Sequence, residues 1–292
     1  MAKLQYIKKQ IDLIKQIQHV TRTMKIISAV RWRMGKRTLD EARRFSEYLL
    51  HLNEMIHLHL PTHLLRPHPP RGFAVIGIFS DKGLVGGFNS VLASKINTFI
   101  DNQEHEGNKS HIIILGTQGI SLFKKKTSDI LLTHPLPVHQ VPHYQDVRDL
   151  IYRIRMFHEE KYFSHLFIAY NQYLSVSKYQ PVIQRIIPVP IQNVYITPEH
   201  RDTLRDSIDI MSPSPSLEKR LSFEFIASQV YVFLIESFIS EQATRFKIMD
   251  AATSHSDEMI NSMRVLYQKK RQEKITQEIN EVTNASQVLG TI

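Results

Sequence analysis

The sequence predicts an α/β protein in which a long helix at each end of the chain flanks a central region of alternating strands and helices. Residues 3–58 and 218–289 contain no proline, and their apolar residues recur at intervals of three and four. Between them, strand-like apolar runs such as GFAVIGIF and SHIIIL alternate with helical segments, which favours a mainly parallel sheet covered by helices. We therefore expect a long antiparallel coiled coil of the terminal helices and a central Rossmann-like α/β domain.

The C-terminal segment 218–289 dominates this prediction. At about 1.5 Å per residue, a continuous helix of this size is on the order of 100 Å long. This length exceeds the diameter of one domain, so we expect part of the helix to project towards a partner outside the chain. Its apolar row contains Phe225, Val232, Ile235, Ile239, Phe246, Met249, Met259, Met263, Leu266, Ile275, Ile279 and Val282.

The N-terminal segment 3–58 has the same character. Its apolar row begins at Leu4, Ile7, Ile11 and Ile14. The pattern then indicates a slip near Ile17 and a continuation at Val20, Met24, Ile27, Met34, Ala42, Phe45, Leu49, Leu52 and Ile56. Two unrelated bundle helices packed on the middle domain are the alternative, but both segments are several times longer than an average helix, which favours a coiled coil.

The domain boundaries follow from these patterns. We expect the N-terminal helix over 1–60, the α/β domain over 71–190, a linker over 191–217 and the C-terminal helix over 218–289. Within the α/β domain we predict strands at 72–79, 110–115, 129–132 and 165–173, with a hairpin partner at 181–189. Helices are predicted at 90–102, 117–125 and 147–162.

Charge and composition restrict the function classes. The net charge is +9, and residues 1–37 contain ten Lys or Arg against one acid, Asp12. This excess predicts an acidic partner, which on this observation alone is nucleic acid, an anionic lipid surface or an acidic protein. The absence of cysteine excludes disulfides and thiolate sites. We expect neither a membrane span nor a cleaved targeting peptide.

The motif Ser80–Asn89, SDKGLVGGFN, joins a predicted strand to a predicted helix. Such a glycine-rich turn can bind phosphate, but no Gly-Lys-Ser/Thr ends it and its spacing is not GxGxxG. We favour a structural turn in which Gly83, Gly86 and Gly87 allow close packing or positive φ. The histidines between residues 51 and 68 lack an HExxH pattern and are interpreted as a solvated helix end. We therefore expect no catalytic residue, no metal and no cofactor.

Three motifs together resemble the γ subunit of F-type ATP synthases. The first is the opening helix, IKKQIDLIKQIQHVTRTMKIISAVR, and the second is SDKGLVGGFN, similar to the family's S/T-D-R/K-G-L-C-G-G-L/F-N. The third, and the most specific, is SEQATR at Ser240–Arg245, continuing to Tyr267, Arg271-Gln272 and ITQEI at Ile275–Ile279. The resemblance spans nearly the whole chain.

This resemblance implies a non-catalytic rotor shaft inside a ring of three α and three β subunits. The α/β domain would lie against the ε subunit and the membrane c-ring, on the cytoplasmic face of a bacterial inner membrane. The shaft would couple ion flow to ATP synthesis or hydrolysis. By position, the residues near the acidic lever segment of β would be Met24, Lys25, Arg31, Arg33 and Lys36. Those contacting the β loops that sense shaft orientation would be Arg245, Arg271, Gln272, Thr276, Gln277 and Glu278.

The chain departs from the family pattern at several positions. Val85 replaces the usual Cys, Leu13 the usual Ser, and Asp250 a frequent Lys. These changes suggest a divergent or second-copy member. Two alternatives of other classes remain: a nucleic-acid-binding coiled coil that uses the basic N-terminal face, and a small-molecule enzyme built on the turn from Gly83 to Gly87.

Overall fold

The fold was analysed in a computed structural model that describes residues 2–57, 72–105, 108–123, 129–136, 140–188 and 215–289. Within these ranges the chain forms two long helices, three shorter helices and five strands. In chain order they are α1 (Ala2–His57), β1 (Phe73–Ile78), α2 (Phe88–His105), β2 (Ser110–Leu115), α3 (Thr117–Phe123), β3 (Asp129–His134), α4 (Tyr144–Glu159), β4 (His165–Ser175), β5 (Lys178–Ile187) and α5 (Pro215–Leu289).

The predicted fold class is confirmed, with differences of a few residues at element ends. Helix α4 begins at Tyr144, three residues before the predicted start, and Lys161, at φ +65°, follows its end. Helix α5 begins at Pro215, inside the predicted linker, because proline's fixed φ suits the first turn of a helix. The rest of that linker, up to residue 214, lies outside the described residues.

The five strands form one sheet in the order β3-β2-β1-β4-β5. Strands β3, β2, β1 and β4 run parallel, and β5 pairs antiparallel with β4 as the predicted hairpin partner. One face of the sheet packs on α4 and on α5 residues such as Ile226 and Val230. The other face carries an apolar cluster with Leu92 and Ile96 of α2 and Phe123 of α3. The sheet is therefore buried on both faces, as expected of parallel strands.

The chain divides into two compact units, and both long helices contribute to each. The helical unit comprises Met1–Ser28 and Arg245–Ile292, and the sheet unit comprises Ala29–Thr244. In the sheet unit, α1 and α5 pack together through Leu39 and Ala42 on one side and Val232, Ile235 and Ile239 on the other.

Gly35 explains how α1 and α5 come so close in the sheet unit. A Cβ atom built on Gly35 would lie 2.8 Å from Cγ1 of Ile239 and 3.2 Å from the ring of Phe238. Glycine in a helix costs about 1 kcal/mol relative to alanine, but here it permits close approach of the two helices. Helix α1 continues through Gly35 without interruption.

The seam of the helical unit differs from the predicted apolar row. In α1 the buried residues are Ile7, Ile11, Thr21 and Ser28, which fit one unbroken 3/4 repeat through half-buried Ile14, Gln18 and Lys25. The predicted slip near Ile17 is wrong, since Ile17, Val20 and Ile27 are exposed, and farther along the chain Met34 and Phe45 are also exposed. The repeat set by Ile7 and Ile11 simply continues, although its next members are polar.

The same difference occurs in α5. Met249, Thr253, Ser256 and Ile260 are buried and continue as a 3/4 repeat through half-buried Met263 and Tyr267. Of the predicted row, Met259, Leu266, Ile275, Ile279 and Val282 are exposed. In both helices an apolar row therefore remains outside the seam.

Candidate partner-binding surface of the helical unit

Three polar contacts fix the pairing of α1 and α5 in the helical unit. Gln18 Nε2 donates to the carboxylate of Asp257, and Lys25 Nζ lies 2.5 Å from Oδ1 of Asp250. At the centre, the hydroxyls of Thr21 and Thr253 are hydrogen-bonded at 2.9 Å in a buried position. Residue numbers rise along α1 as they fall along α5, so the two helices are antiparallel. This confirms the predicted antiparallel coiled coil within this unit.

The antiparallel geometry makes the two flanks of the seam different. Antiparallel helices are related by an approximate twofold axis perpendicular to both, so equivalent flanks of the two helices face the same side of the pair. The positions immediately before the seam residues are apolar from Leu13 to Ile27 in α1 and mostly apolar in α5, where His255 and Ser262 interrupt the row. We call this row the apolar flank; it contains Leu13, Ile17, Val20, Met24 and Ile27 of α1 and Ile248, Ala252, Met259 and Leu266 of α5.

The apolar flank is open to solvent in the described structure. Ile17 is 48% exposed, Val20 55% and Ile27 41%. Met259 and Leu266 are exposed on α5. An exposed row that is mostly apolar is typical of a protein-protein contact rather than of a solvated helix face.

The opposite flank is charged. It carries Lys15 and Arg22 of α1, and Asp250 and Asp257 of α5. Asp250 and Asp257 contact Lys25 and Gln18 of the seam across the pair. Because exposed ion pairs stabilise a fold by at most about 1 kcal/mol, these charges contribute more to the choice of partner than to stability.

The proposed lever-contact residues occupy different environments. Met24 is half-buried on the apolar flank, whereas Lys25 is paired with Asp250 and lies 5.9 Å from the ring of Phe246. In the sheet unit, Arg31 is half-buried, Arg33 is exposed, and exposed Lys36 lies 5.6 Å from the ring of Trp32.

The proposed loop-contact residues lie almost entirely on the surface of α5. Arg271, Gln272, Thr276, Gln277 and Glu278 are exposed. Local side-chain contacts link three of them to their own helix: Thr276 Oγ1 donates to Gln272 O, Gln277 Nε2 to Glu281, and Lys274 pairs with Glu278 at 3.1 Å. Arg245 differs from the set, since it is buried.

The motif Ser80–Asn89 forms a hydrogen-bonded turn that fixes the starts of two helices. Asn89 Oδ1 accepts from Ser80 N at 3.0 Å, and Asn89 Nδ2 donates to Ser80 Oγ at 2.8 Å. Asp81 Oδ1 accepts from Thr117 N at 2.7 Å, so a carboxylate already occupies the start of α3. This negative charge would repel a phosphate or another anion at the start of α3.

The glycines of this motif are not equivalent. Gly86 has φ +56°, in the left-handed region that glycine adopts without strain. Gly83 has open space where a Cβ would lie, and Gly87 has only ordinary contacts. Leu84 also has positive φ, +62°, and its side chain is exposed. Of the three glycines Gly83, Gly86 and Gly87, only Gly86 therefore has a backbone conformation that requires glycine.

The described residues contain no group of three or more His, Asp or Glu side chains that could hold a metal ion. One helix among them, α5, contains a stretch long and apolar enough to cross a membrane by composition. Most of that stretch, 72%, is buried inside the protein, as in the core helix of a folded domain.

Comparison with known proteins identifies the family. The sequence model described as ATP synthase matches residues 3–289. The chain belongs to the ATP synthase family. Relatives of the same length are ATP synthase gamma chains: that of Buchnera aphidicola subsp. Schlechtendalia chinensis is 28% identical, with 99% of both chains covered. That of Pelagibacter ubique is 26% identical, covering 99% of this chain and all of the relative.

Solved structures share the fold. A chain in the Euglena gracilis mitochondrial ATP synthase, solved as OSCP, F1 and c-ring in rotational state 3, matches with a TM-score of 0.68 at 14% identity. The match covers 99% of this chain and 95% of that one. A chain of the Tetrahymena thermophila central stalk and c-ring matches with a TM-score of 0.59 at 18% identity, covering 80% and 99%. Nothing in the comparisons supports the nucleic-acid hypothesis.

Sequence reasoning missed the apolar flank, although its signal was present. Two adjacent 3/4 rows run through α1, and only the more apolar one was chosen as the seam. It also missed Glu236, the single acid in the mostly apolar run from Val230 to Ile239. A lone carboxylate in such a run indicates a buried polar contact, which the structure contains.

Proposed function

We propose that the chain is the central rotor shaft, the gamma subunit, of an F-type ATP synthase on the cytoplasmic face of a bacterial inner membrane. It has no catalytic residue of its own and couples ion flow through the membrane sector to ATP synthesis or hydrolysis on the β subunits. Its partners are three α and three β subunits, an ε subunit and the c-ring. The family assignment and the names of the relatives support this proposal.

The observation that carries the mechanism is the chemical difference between the two flanks of the helical unit. An apolar flank and a charged flank present unlike surfaces to the three β subunits around the shaft. Each orientation of the shaft therefore stabilises a different β conformation. Since nucleotide affinity differs between those conformations, rotation changes affinity at each site in turn, and ATP hydrolysis drives rotation in reverse.

The residues that we assign to β contacts follow from the resemblance and from exposure. Exposed Arg33 and Lys36 suit an acidic lever, and Met24 continues the apolar flank towards them along the sequence. Lys25 is paired with Asp250, so we propose that it reaches β by exchanging that partner for an acid of the lever. Arg31 and Arg245 complete the proposed set.

A two-residue variant tests the loop contacts. In the complex reconstituted with α and β subunits, Arg271→Ala with Gln272→Ala removes two exposed side chains of α5. We expect ATP hydrolysis and rotation to slow markedly while the thermal stability of the chain stays unchanged, because surface substitutions change stability by about 0.5 kcal/mol or less.

Arg264→Ala with Gln268→Ala is the matched control. It removes the same two residue types from exposed positions of the same helix, outside the proposed contact set. Equal activities of the two variants would contradict the assigned contacts. Failure of the wild-type chain to assemble with α and β subunits would contradict the proposed function itself.

A further inference from the structure

A line of polar contacts crosses the apolar core of the sheet unit and links both long helices to the sheet. Glu236 of α5, 5% exposed, accepts a hydrogen bond from Arg43 of α1. The hydroxyl of Tyr170 on β4, a residue buried in the core, interacts with the same carboxylate, and burial together with Glu236 raises the pKa of Tyr170. One carboxylate thus holds a side chain from α1 and a side chain from the sheet. We call the contacts described here the polar crossing.

The crossing continues one helical turn further along α5. Ser240 Oγ donates to the main-chain oxygen of Asn171 at 2.8 Å. Glu236 and Ser240 are four residues apart and lie on the same face of α5, and they contact consecutive residues of β4. Helix α5 is therefore attached to one strand at two points about one turn apart.

The contacts also reach the far face of the sheet. Neighbouring residues in a strand point to opposite faces, so the side chain of Asn171 points away from Tyr170. Asn171 is fully buried, and its Nδ2 donates to Phe88 O at the start of α2, at 3.1 Å. Phe88 lies in the Ser80–Asn89 motif, so the crossing extends from α1 to that turn.

The chemistry of this arrangement is not explained by stability alone. Burying a carboxylate carries a desolvation penalty of several kcal/mol, and apolar replacement of a buried ion pair is often neutral or stabilising. Apolar packing is non-directional, so a helix held only by it can rotate slightly about its axis with little loss. Hydrogen bonds weaken steeply as their angle departs from linearity, so two of them on one helical face oppose such rotation.

We propose that Arg43, Tyr170, Asn171, Glu236 and Ser240 form the element that transmits torque between the sheet unit and the two long helices. This inference rests on the proposed rotor function. In that function, force from the c-ring enters the sheet unit and reaches the catalytic subunits through α1 and α5, which have residues in both units. The five residues are positioning residues.

The variant Tyr170→Phe with Ser240→Ala tests the proposal, since it removes two oxygen atoms and both attachments of α5 to β4 while keeping the side-chain shapes. The control is Val230→Ala, an apolar truncation of a fully buried α5 residue on the same sheet face. Denaturation compares the destabilisation caused by Val230→Ala with that caused by the polar variant. If Val230→Ala is the more destabilising of the two, the milder substitution Ile235→Val replaces it as the control.

The measurement is torsional stiffness in the reconstituted complex. The chain has no cysteine, so Lys178→Cys on the exposed β4–β5 hairpin provides a unique attachment point for a bead. With the motor stalled, the angular variance of the bead is inversely proportional to stiffness. Loss of two directional links predicts a variance about twofold or more above that of the control.

The outcomes separate this proposal from the proposed function. Equal variance in the polar variant and the stability-matched control would overturn the torque-transmission role, provided that the wild-type complex rotates. Absence of rotation in the wild-type complex would instead contradict the rotor function. Should the double variant fail to fold, Ser240→Ala alone removes one oxygen atom, and its variance against the same control decides the question.

Discussion

The apolar flank yields a prediction that separates the stability of the chain from its assembly. The perturbation is the triple variant Ile17→Ala, Val20→Ala and Ile27→Ala. About half of each side chain is exposed in the chain alone. Surface substitutions change stability by about 0.5 kcal/mol or less each, and alanine regains several tenths of a kcal/mol per residue in helix propensity. We therefore expect the free energy of unfolding to fall by less than about 1.5 kcal/mol.

The effect on assembly is expected to be larger. Full burial of such a side chain contributes about 1.5–3 kcal/mol, so burying the remaining half of each against a partner contributes about 1 kcal/mol. For three residues this amounts to about 3 kcal/mol, or about two orders of magnitude in the dissociation constant for the α and β subunits. Titration of labelled chain with the α–β ring measures this constant, and urea denaturation of the purified chain measures stability.

Ile11→Ala is the control, because Ile11 lies in the seam and is 8% exposed. Truncating a buried isoleucine costs about 2–5 kcal/mol, so this single substitution should destabilise the chain more than the triple variant does. The reverse order of stabilities would show that Ile17, Val20 and Ile27 form the core, which would refute the seam described here. Unchanged affinity of the triple variant would refute the apolar flank as a docking surface.

Two further predictions concern the sheet unit. Gly35→Ala should lower the free energy of unfolding by about 1–2 kcal/mol, because the new Cβ overlaps buried Ile239, although alanine has the better helix propensity. Urea denaturation measures this change, and a stabilised variant would contradict the close approach of α1 and α5. Burial and the nearby Arg185 lower the pKa of His165 below 6.5, so the folded chain binds fewer protons than the unfolded chain. The contribution of His165 to stability should then be fully present above pH 6.5 and be lost as the pH falls. His165→Gln should therefore flatten the acid side of the profile of stability against pH. An unchanged profile would contradict this cause.

Much of the fold was predictable because its signals are local and repeated. The buried strands β1 and β2 are continuous apolar runs, and the long helices lack proline throughout. Four strands of the sheet are parallel, as the strand and helix alternation predicts. These features depend on neighbouring residues and need no knowledge of a partner.

The seam of the helical unit was harder to predict for a physical reason. Between residues 17 and 28 the apolar row is Ile17, Val20, Met24 and Ile27, whereas the true seam contains polar Gln18, Thr21, Lys25 and Ser28. Apolar periodicity identifies surfaces that become buried, but it does not say whether the chain itself or another subunit buries them. Continuity with Ile7 and Ile11 was the usable signal, since only the polar row keeps their repeat.

The polar crossing was beyond sequence reasoning for another reason. Glu236 is visible as a lone acid in an apolar run, but its partners Arg43 and Tyr170 are far away in the sequence. The main-chain oxygen of Asn171 has no sequence signal at all. Contacts of this kind depend on the packing of α1, α5 and β4, which a single sequence does not encode in any local pattern.

Rotation of this chain inside a reconstituted ring of α and β subunits tests the account most directly. A bead attached through Lys178→Cys, the single cysteine in the variant, reports the angle of the sheet unit as ATP is added. The account predicts unidirectional turning in three equal steps, one for each β subunit, that stops when ATP is removed. A chain that binds the ring but stays fixed in angle while ATP is hydrolysed would contradict it.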